Sequence, residues 1–325
     1  MPRPHHQQTR NKPSHPLQWV VRRTALLPLL LALILLPLHA QQPDATVSWT
    51  PSDLAAGSPA LFTVNVAKAT GITGTWQNQP LQFFQTSHTS DTWYALAGVD
   101  VAVKPGSYPL DLQLTVHDQP QSLHRIITIA PADYKEITLS VPAKYVEPNA
   151  ASLKIIKSEQ SLKQKIFASS ASTPLWTGSF TAPLNSAPRT DSFGTRRVFN
   201  GSLASIHRGL DYRARPGTPV HAANSGRVIL ARPLYFEGNC VVIDHGLGLT
   251  TIYMHLSRFK VKEGQHVTRG QLIALSGATG RANGPHLHLS VRWQGEYLDP
   301  AKLIALRLPS PAAAKKPAVH APHSR

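Results

Sequence analysis

Short runs in which apolar and polar residues alternate constrain the fold of this chain more than any other feature of its sequence. Such runs recur between residues 46 and 141, separated by turn residues, and they include residues 61–66, 110–116 and 125–129. Because successive side chains of a β-strand point to opposite faces, an alternation of period two predicts half-buried strands. Short strands with regular turns between them predict an Ig-like antiparallel β-sandwich over residues 41–145.

A segment with helical periodicity follows the predicted sandwich. Asn149 after Pro148 is a typical N-cap, and the apolar residues that follow share roughly one helical face: Leu153, Ile156, Leu162 and Ile166. We therefore predict a connecting helix from Asn149 to about residue 167. We assign residues 146–190 to this helix and a polar, proline-bearing linker, in which Trp176 and Phe180 are expected to pack against the next domain.

Residues 191–306 again alternate strand-like runs with tight turns, for example at residues 224–226 and 244–248. This pattern predicts a C-terminal antiparallel β-sheet or half-barrel domain, so the whole chain is expected to be mainly β. Residues 307–325 contain Pro, Ala, Lys and His without apolar periodicity, and we expect them to form a disordered basic tail.

The charge of the chain indicates an anionic environment. The net charge is +16, and residues 1–40 contribute five basic residues and no acid, so the remainder carries +11. Such a charge favours wall polymers, membrane surfaces or nucleic acid. Nucleic acid is disfavoured because no basic run interleaves with aromatic residues and no binding motif is present. Cys240 is the only cysteine, which excludes a disulfide framework, and its apolar surroundings predict a buried strand thiol.

Residues 1–40 have the three-part plan of a secretory signal. A basic leader ends in Arg22 and Arg23, an apolar stretch covers residues 25–38, and Leu38-His39-Ala40 before Gln41 forms an imperfect small-x-small cleavage site. The apolar stretch contains two prolines and is shorter than the roughly 18 residues that a membrane-spanning helix needs. We therefore favour export with cleavage over a retained anchor, and expect a periplasmic or envelope-associated protein.

Two pairs of polar residues lie at spacings that suit a metal site. His207 and Asp211 are four residues apart, which places them on the same side of a helix or a strand, and Gly209 between them favours an extended segment. His286 and His288 share one face of a strand whose other face is apolar. A strand of this kind can present two imidazoles to a site while its opposite face packs on a core.

Two imidazoles and one carboxylate leave a tetrahedral zinc ion with one open position, which is the pattern of catalytic sites. Such a site needs further groups that orient a water and move its proton. His255 fits this need at the end of a predicted strand, where strict alternation places it on the face of Thr251 and Tyr253, opposite Ile252, Met254 and Leu256.

The second domain resembles the lysostaphin-type, or LytM-type, zinc endopeptidases that cut peptides of bacterial peptidoglycan. The matching motifs occur in order over about 115 residues: Ser192-Phe193-Gly194, His207 with Asp211, Gly217-Thr218-Pro219-Val220, Tyr253-Met254-His255-Leu256, residues 267–270, and Thr279-Gly280 leading into Gly284-Pro285-His286-Leu287-His288. The upstream part also resembles the sandwich and linker of some exported members.

The resemblance implies a set of roles for five residues. His207, Asp211 and His288 would bind Zn²⁺, while His255 and His286 would flank the metal-bound water and the substrate carbonyl. The implied activity is hydrolysis of peptidoglycan stem or cross-link peptides at an anionic cell-envelope surface, with no nucleic-acid or protein partner. His221, His245 and His266 match no catalytic position, and His245 is expected to shape a turn.

Two other classes of function remain open at this stage. The same scaffold could serve as a non-catalytic wall-binding or amidase-activating module, although the complete set of five residues argues against it. Residues 261–273 also resemble the hairpins of biotinyl and lipoyl carrier domains, but the lysine of a carrier turn is missing. The sequence does not select the bond that is cut.

Overall fold

A computed structural model describes residues 44–201 and 203–312. The predicted signal sequence at residues 1–40 lies outside this range. Within the range, no helix combines the length and the apolar character that crossing a membrane requires.

The first part of the described chain forms two β-sheets. One sheet has the strand order β1-β3-β6, and the other has the order β2-β8-β7-β4-β5, with β2 parallel to β8 and the remaining pairs antiparallel. The bounds are β1 Ala45–Thr50, β2 Leu54–Ala55, β3 Pro59–Val66, β4 Ala69–Trp76, β5 Gln79–Leu81, β6 Thr92–Gly98, β7 Gly106–Val116 and β8 Gln119–Ala130.

The two sheets pack face to face, as the alternation predicts. Phe62 of β3 meets Trp76 of β4 edge to face, with ring centroids 5.5 Å apart. The indole N–H of Trp76 donates a hydrogen bond of 2.9 Å to the carbonyl of Gly98 in the opposite sheet. In β7 the leucines at positions 110, 112 and 114 are buried, while the residues between them are exposed. Burial of the apolar side chains that the two sheets turn towards each other therefore holds the sandwich together.

The next strand leaves the sandwich, although its sequence continues the alternating pattern. This strand, β9 (Glu136–Leu139), pairs in parallel with β11 (Arg196–Phe199), which in turn pairs with β12 (Leu203–Ile206). We predicted a sandwich domain up to residue 145. A period-two pattern specifies a strand but not its partner, so the pattern alone could not assign β9 to the later sheet.

The connecting helix is confirmed. After a short 3₁₀ turn at Ala143–Tyr145, helix α1 covers Ala150–Ala168. The side chain of Asn149 caps it by accepting a hydrogen bond of 2.9 Å from the backbone N–H of Ser152. In the second half of the helix, Leu162, Ile166 and Phe167 pack against a small apolar cluster that contains Cys240. In the first half, Leu153 is exposed.

The C-terminal domain is one curled antiparallel sheet of ten strands. Its main path has the order β10-β13-β20-β17-β16-β15-β18, with β14 joined through β19 to β17, and β21 paired to β20. A short helix, α2 (Pro300–Ala305), follows the last strand. The strands are β10 Arg189–Asp191, β13 Leu210–Arg213, β14 Pro219–His221, β15 Gly226–Leu234, β16 Gly238–Asp244, β17 Leu249–Phe259, β18 His266–Val267, β19 Leu272–Ser276, β20 His286–Trp293 and β21 Glu296–Leu298.

The linker lies between the sandwich and the C-terminal sheet. Phe180 packs edge-on against His245, with centroids 4.9 Å apart, as we expected for a contact with the next domain. Trp176 instead packs against Phe84 of the sandwich, with centroids 5.4 Å apart. Both aromatic residues belong to one continuous apolar core that includes residues of the sandwich and of the C-terminal sheet.

Residues 307–312 differ from the predicted disordered tail. Leu308 is buried and its N–H donates to the hydroxyl of Ser179 at 3.1 Å. The N–H of Ala312 donates to the carbonyl of Gln85 at 2.7 Å. The sequence of the tail could not predict this packing, because a single buried leucine gives no periodic pattern of apolar residues. The rest of the predicted tail lies outside the described residues.

The linker contact at Gly246 can be tested with a matched pair of glycines. Gly246 and Gly264 have nearly equal positive φ angles of +86° and +85°. A Cβ at Gly246 would collide with the carbonyl of Thr173 in the linker, whereas a Cβ at Gly264 would meet no atom within 4 Å. We expect Gly264→Ala to lower the free energy of unfolding by about 1 kcal/mol and Gly246→Ala by about 2 kcal/mol or more. Equal losses in urea unfolding would contradict the linker packing.

Candidate metal centre

The pairing of β13 with β20 brings the first two candidate ligands together. Asp211 lies directly opposite His288 in this antiparallel register. His207 follows β12, and its backbone N–H donates to the carbonyl of Thr195 at 2.7 Å, which holds the segment against the sheet. All three side chains are buried, and they form the group of potential metal ligands found among the described residues.

The distances between the three donor atoms suit a small cation. Nε2 of His207 lies 3.2 Å from Oδ1 of Asp211 and 3.0 Å from Nδ1 of His288, and the last two atoms are 2.8 Å apart. Tetrahedral zinc with bonds of about 2.0–2.2 Å places its ligand atoms roughly 3.3 Å apart. The three atoms therefore converge at nearly the spacing that a bound zinc ion would impose.

Hydrogen bonds on the outer side of the imidazoles orient their lone pairs towards one another. Nδ1–H of His207 can donate to the carbonyl of Ser192 at 2.8 Å. Nε2–H of His288 can donate at 2.8 Å to the hydroxyl of Ser290, whose own proton goes to the carbonyl of Arg208 at 2.7 Å. With both outer nitrogens protonated, two imidazole lone pairs and a carboxylate oxygen face one point. A cation at that point removes their mutual repulsion, so the donor set fits a metal ion.

Arg197 occupies the far side of the Asp211 carboxylate. Its Nη2 lies 2.5 Å from Oδ2 of Asp211, and its Nε and Nη2 donate to Asp191 at 2.9 and 2.7 Å. Burial alone would raise the pKa of Asp211, but the neighbouring imidazoles of His207 and His288 hold that pKa well below its usual range. Asp211 is therefore ionised, with one oxygen anchored and the other directed at the histidines.

His255 reaches the site through a break in the alternation of β17. The residue has a left-handed φ of +61°, and the pairing of β17 with β16 contains an extra residue between Tyr253 and Leu256. Met254 lies opposite His288 and thus shares its face, whereas Tyr253 and Leu256 are both in the core. The expectation that His255 shares a face with Tyr253 is wrong, because the bulge turns its side chain to the other face.

His255 and His286 lie side by side next to His288. The ring centroids of His255 and His286 are 4.7 Å apart, and those of His255 and His288 are 6.1 Å apart. The Nδ1 atoms of His255 and His286 lie 2.8 Å from the carbonyls of Thr279 and Gly284, which fixes Nδ1 as the protonated nitrogen in both. Nε2 of each ring is thereby left for the cavity, and that of His286 is 3.8 Å from Oδ1 of Asp211.

Burial determines the charge of two of these imidazoles. It lowers the pKa of His255 to about 3, and repulsion from His286 and His288 acts in the same direction. Burial also lowers the pKa of His288 to about 4, although Asp211 opposes this shift. Both rings are therefore neutral at neutral pH, and each can use its unprotonated nitrogen as a ligand or as a proton acceptor.

The five residues line a cavity of about 870 Å³. Its wall contains residues of the sheet together with residues from upstream, such as Ile137 of β9 and Lys163 of α1. This volume is within the range of sites that bind small molecules or short peptide segments. The donor cluster is thus buried but open to a ligand on one side.

The other singled-out residues lie away from this cavity. His266 is exposed and His221 is half-buried. His245 does more than shape a turn: its imidazole is fully buried, with Nδ1 at 2.7 Å from the carbonyl of Ser225 and Nε2 at 2.8 Å from the hydroxyl of Thr251. Cys240 is buried in β16, as predicted.

Sequence reasoning missed three residues that support the site. Ser290 could have been found, because it continues the alternation of His286 and His288 on the same face of β20. Arg197 and Asp191 gave no local signal, since the contacts of Arg197 with Asp191 and Asp211 depend on how separate strands meet in space.

A buried pair of imidazoles and a carboxylate on a curled β-sheet define a candidate metalloenzyme. Residues 205–300 match the model of peptidase family M23, and this part of the chain belongs to that family. The family indicated by the motifs is thereby confirmed.

Three similar proteins illustrate the relationship. Over 96 residues the chain is 46% identical to the peptidoglycan DD-endopeptidase ShyA of Vibrio cholerae. This match covers 30% of this chain and 22% of ShyA. A crystal structure from Pseudomonas aeruginosa, described as a peptidase M23, has 27% identity and a TM-score of 0.58, and covers 77% of this chain and 94% of that one. The lysostaphin catalytic domain of Staphylococcus simulans has 31% identity and a TM-score of 0.34 over 37% of this chain and 93% of that domain.

The hydrogen bond from His288 to Ser290 predicts a measurable effect on metal affinity. Ser290→Ala removes the acceptor that orients the imidazole, and outer-sphere changes of this kind lower metal affinity by about 10–100-fold. Competition with a chelating dye should show this loss for Zn²⁺. Ser257→Ala, which alters an exposed hydroxyl of β17 that donates to Leu275, is the matched control and should leave zinc affinity unchanged. Equal affinities for both variants would refute the assigned orientation of His288.

Proposed function

We propose that the protein is an exported zinc-dependent endopeptidase that hydrolyses peptide bonds of bacterial peptidoglycan. The observation that carries this proposal is the convergence of His207, Asp211 and His288 to within 3.2 Å beside His255 and His286, in a cavity open to substrate. A closed structural site would fill the remaining position with a fourth protein ligand, whereas a catalytic one leaves it free.

Three residues would hold the metal in this proposal. His207 would contribute Nε2, Asp211 would contribute Oδ1 and His288 would contribute Nδ1, because the opposite atom of each side chain is engaged elsewhere. A zinc ion bound there lowers the pKa of water and polarises carbonyl groups. The anchoring of Asp211 by Arg197 keeps the carboxylate in a single orientation, which favours a fixed geometry at the centre.

His255 and His286 would handle the proton and the carbonyl oxygen of the substrate. His255 is neutral, so its Nε2 can accept a proton from an attacking water and pass it to the leaving amine. His286 presents Nε2 to the same side of the cavity, where it would lie beside the charge that develops on the carbonyl oxygen. Both rings are fixed through Nδ1 to backbone carbonyls, so little reorientation is needed during the reaction.

The substrate in this proposal is a peptidoglycan cross-link between two D-centres. The name of ShyA, a peptidoglycan DD-endopeptidase, supports this bond type, and the match spans 22% of that protein. The net charge of +11 that remains without residues 1–40 suits an anionic cell envelope. The signal-like residues 1–40 support export to that compartment.

Two histidine substitutions should fail in different ways. His207→Ala removes a metal ligand, so zinc content and hydrolysis of cell-wall sacculi should be lost together. His255→Ala removes a proton-transfer group, so zinc should stay while the rate falls by about 100-fold or more. Metal analysis and the release of soluble peptides, detected by mass spectrometry, measure the two effects.

Matched controls make this comparison decisive. His266→Ala alters an exposed histidine and should affect neither zinc content nor hydrolysis. A chelator should stop hydrolysis by the wild type, and Zn²⁺ should restore it. If the wild type binds sacculi without releasing peptides, the protein is a wall-binding module instead, and hydrolysis that survives both His207→Ala and His255→Ala would refute the mechanism.

A further inference from the structure

Arg281 is held between two aromatic rings in the wall of the cavity. Its guanidinium lies 4.8 Å from the ring centroid of Phe199 and 4.8 Å from that of Phe236. The side chains of all three residues line the cavity. Stacking on both sides restricts the long side chain to one position. Less side-chain entropy is therefore lost when Arg281 binds a ligand.

Among the described residues, Arg281 has no carboxylate within ion-pair distance, whereas two neighbouring cations of the cavity do. Arg197 binds Asp191 and Asp211, and Lys163 lies 2.6 Å from Glu237. Glu237 attracts Arg281 only at longer range, and burial lowers the pKa of Arg281 from its ordinary value. An arginine stays protonated in proteins, so the cavity contains a half-buried positive charge that lacks a direct counter-charge.

The same wall holds His255 in place. The backbone N–H of Arg281 donates to the carbonyl of Phe236 at 2.8 Å. Two residues earlier, the carbonyl of Thr279 accepts from Nδ1 of His255, and the carbonyl of Glu237 accepts from its backbone N–H at 2.9 Å. A substrate that lies beside His255 therefore also lies along the segment that carries Arg281.

We propose that Arg281 forms a subsite for a free carboxylate of the substrate, carried by the residue on the amine side of the scissile bond. This inference rests on the proposed function and names the class of cross-link that the site prefers. A guanidinium can bind a carboxylate through two parallel hydrogen bonds, and this geometry discriminates strongly against a neutral carboxamide of the same shape.

The chemistry of a bond between two D-centres supplies such a carboxylate. The amine-side centre is an amino acid acylated on its nitrogen, so its own carboxyl group is attached to the carbon next to the scissile nitrogen. When that carboxyl is not amidated or extended, it is an anion within a few ångströms of the reacting atoms. Arg281 would select cross-links whose amine-side D-centre ends in a free carboxylate over cross-links in which it is amidated.

A pair of substrates tests this selection. The probes are two synthetic cross-linked stem-peptide dimers with the same D,D bond, one with a free carboxylate on the amine-side centre and one with a carboxamide. We expect the wild type to show a kcat/KM at least about 10-fold higher for the carboxylate dimer, in line with the loss of a charge-assisted contact. Arg281→Gln should bring the two values to within about threefold, mainly by slowing cleavage of the carboxylate dimer.

Two further variants separate this contact from general electrostatics. Arg227→Gln removes the same charge from an exposed position of β15 outside the cavity, and it should preserve the wild-type ratio at about 0.15 M salt, where exposed charges are largely screened beyond about 8 Å. Arg281→Lys retains the charge but cannot form two parallel hydrogen bonds, so the ratio should fall at least about threefold. Arg281→Lys also provides the test if Arg281→Gln does not fold.

The outcomes distinguish the subsite from the proposed function. Equal cleavage of both dimers by the wild type would overturn the carboxylate subsite and leave the endopeptidase intact. A ratio that persists in Arg281→Gln or disappears in Arg227→Gln would also overturn it. If the wild type cleaves neither dimer and releases nothing from sacculi, the proposed function fails, and the subsite with it.

Discussion

The antiparallel register between β13 and β20 is the constraint on which the rest of the site depends. Asp211 faces His288 across this pair, while Leu210 faces Leu289 on the adjoining position. Because side chains alternate, the same register sends the polar pair to the cavity and the leucines to the core. A shift by one residue would reverse both faces at once. Burial of the apolar face therefore also fixes the relative positions of the candidate metal ligands Asp211 and His288.

The position of His255 depends on a β-bulge, since regular pairing of β17 would turn its side chain away from the candidate ligands. Its left-handed backbone costs on the order of 1–2 kcal/mol, and surrounding contacts must offset that cost. Hydrogen bonds to the carbonyls of Glu237 and Thr279 do so. Gly238 and Gly280 allow the segments that carry these carbonyls to approach closely, because a Cβ at either glycine would collide with the other segment. Strain is thus concentrated at a residue that faces the cavity.

Sequence patterns predicted elements and single-strand faces well, and failed where separate segments meet. The N-cap at Asn149 and the shared face of His286 and His288 follow from local spacing alone, so both could be read directly. The side on which His255 projects could not, because a bulge adds one residue without a distinctive sequence. The sequence also could not predict the parallel pairing of β9 with β11 or the contact of Arg197 with Asp211. Each contact depends on the three-dimensional path of the chain between separate segments.

The cavity itself is broader than the segment that matches the M23 family. Ile137 and Leu139 of β9 line it, although they precede residue 205 by more than sixty positions. Lys163 of α1 reaches the same wall and pairs with Glu237, whose backbone holds His255. The upstream chain therefore adds an apolar side and one partner of a half-buried ion pair to a site whose candidate metal ligands come from the family segment. The candidate metal ligands and part of the cavity wall are consequently encoded in different parts of the sequence, so a change in β9 or α1 can alter the shape of the cavity without changing any candidate ligand.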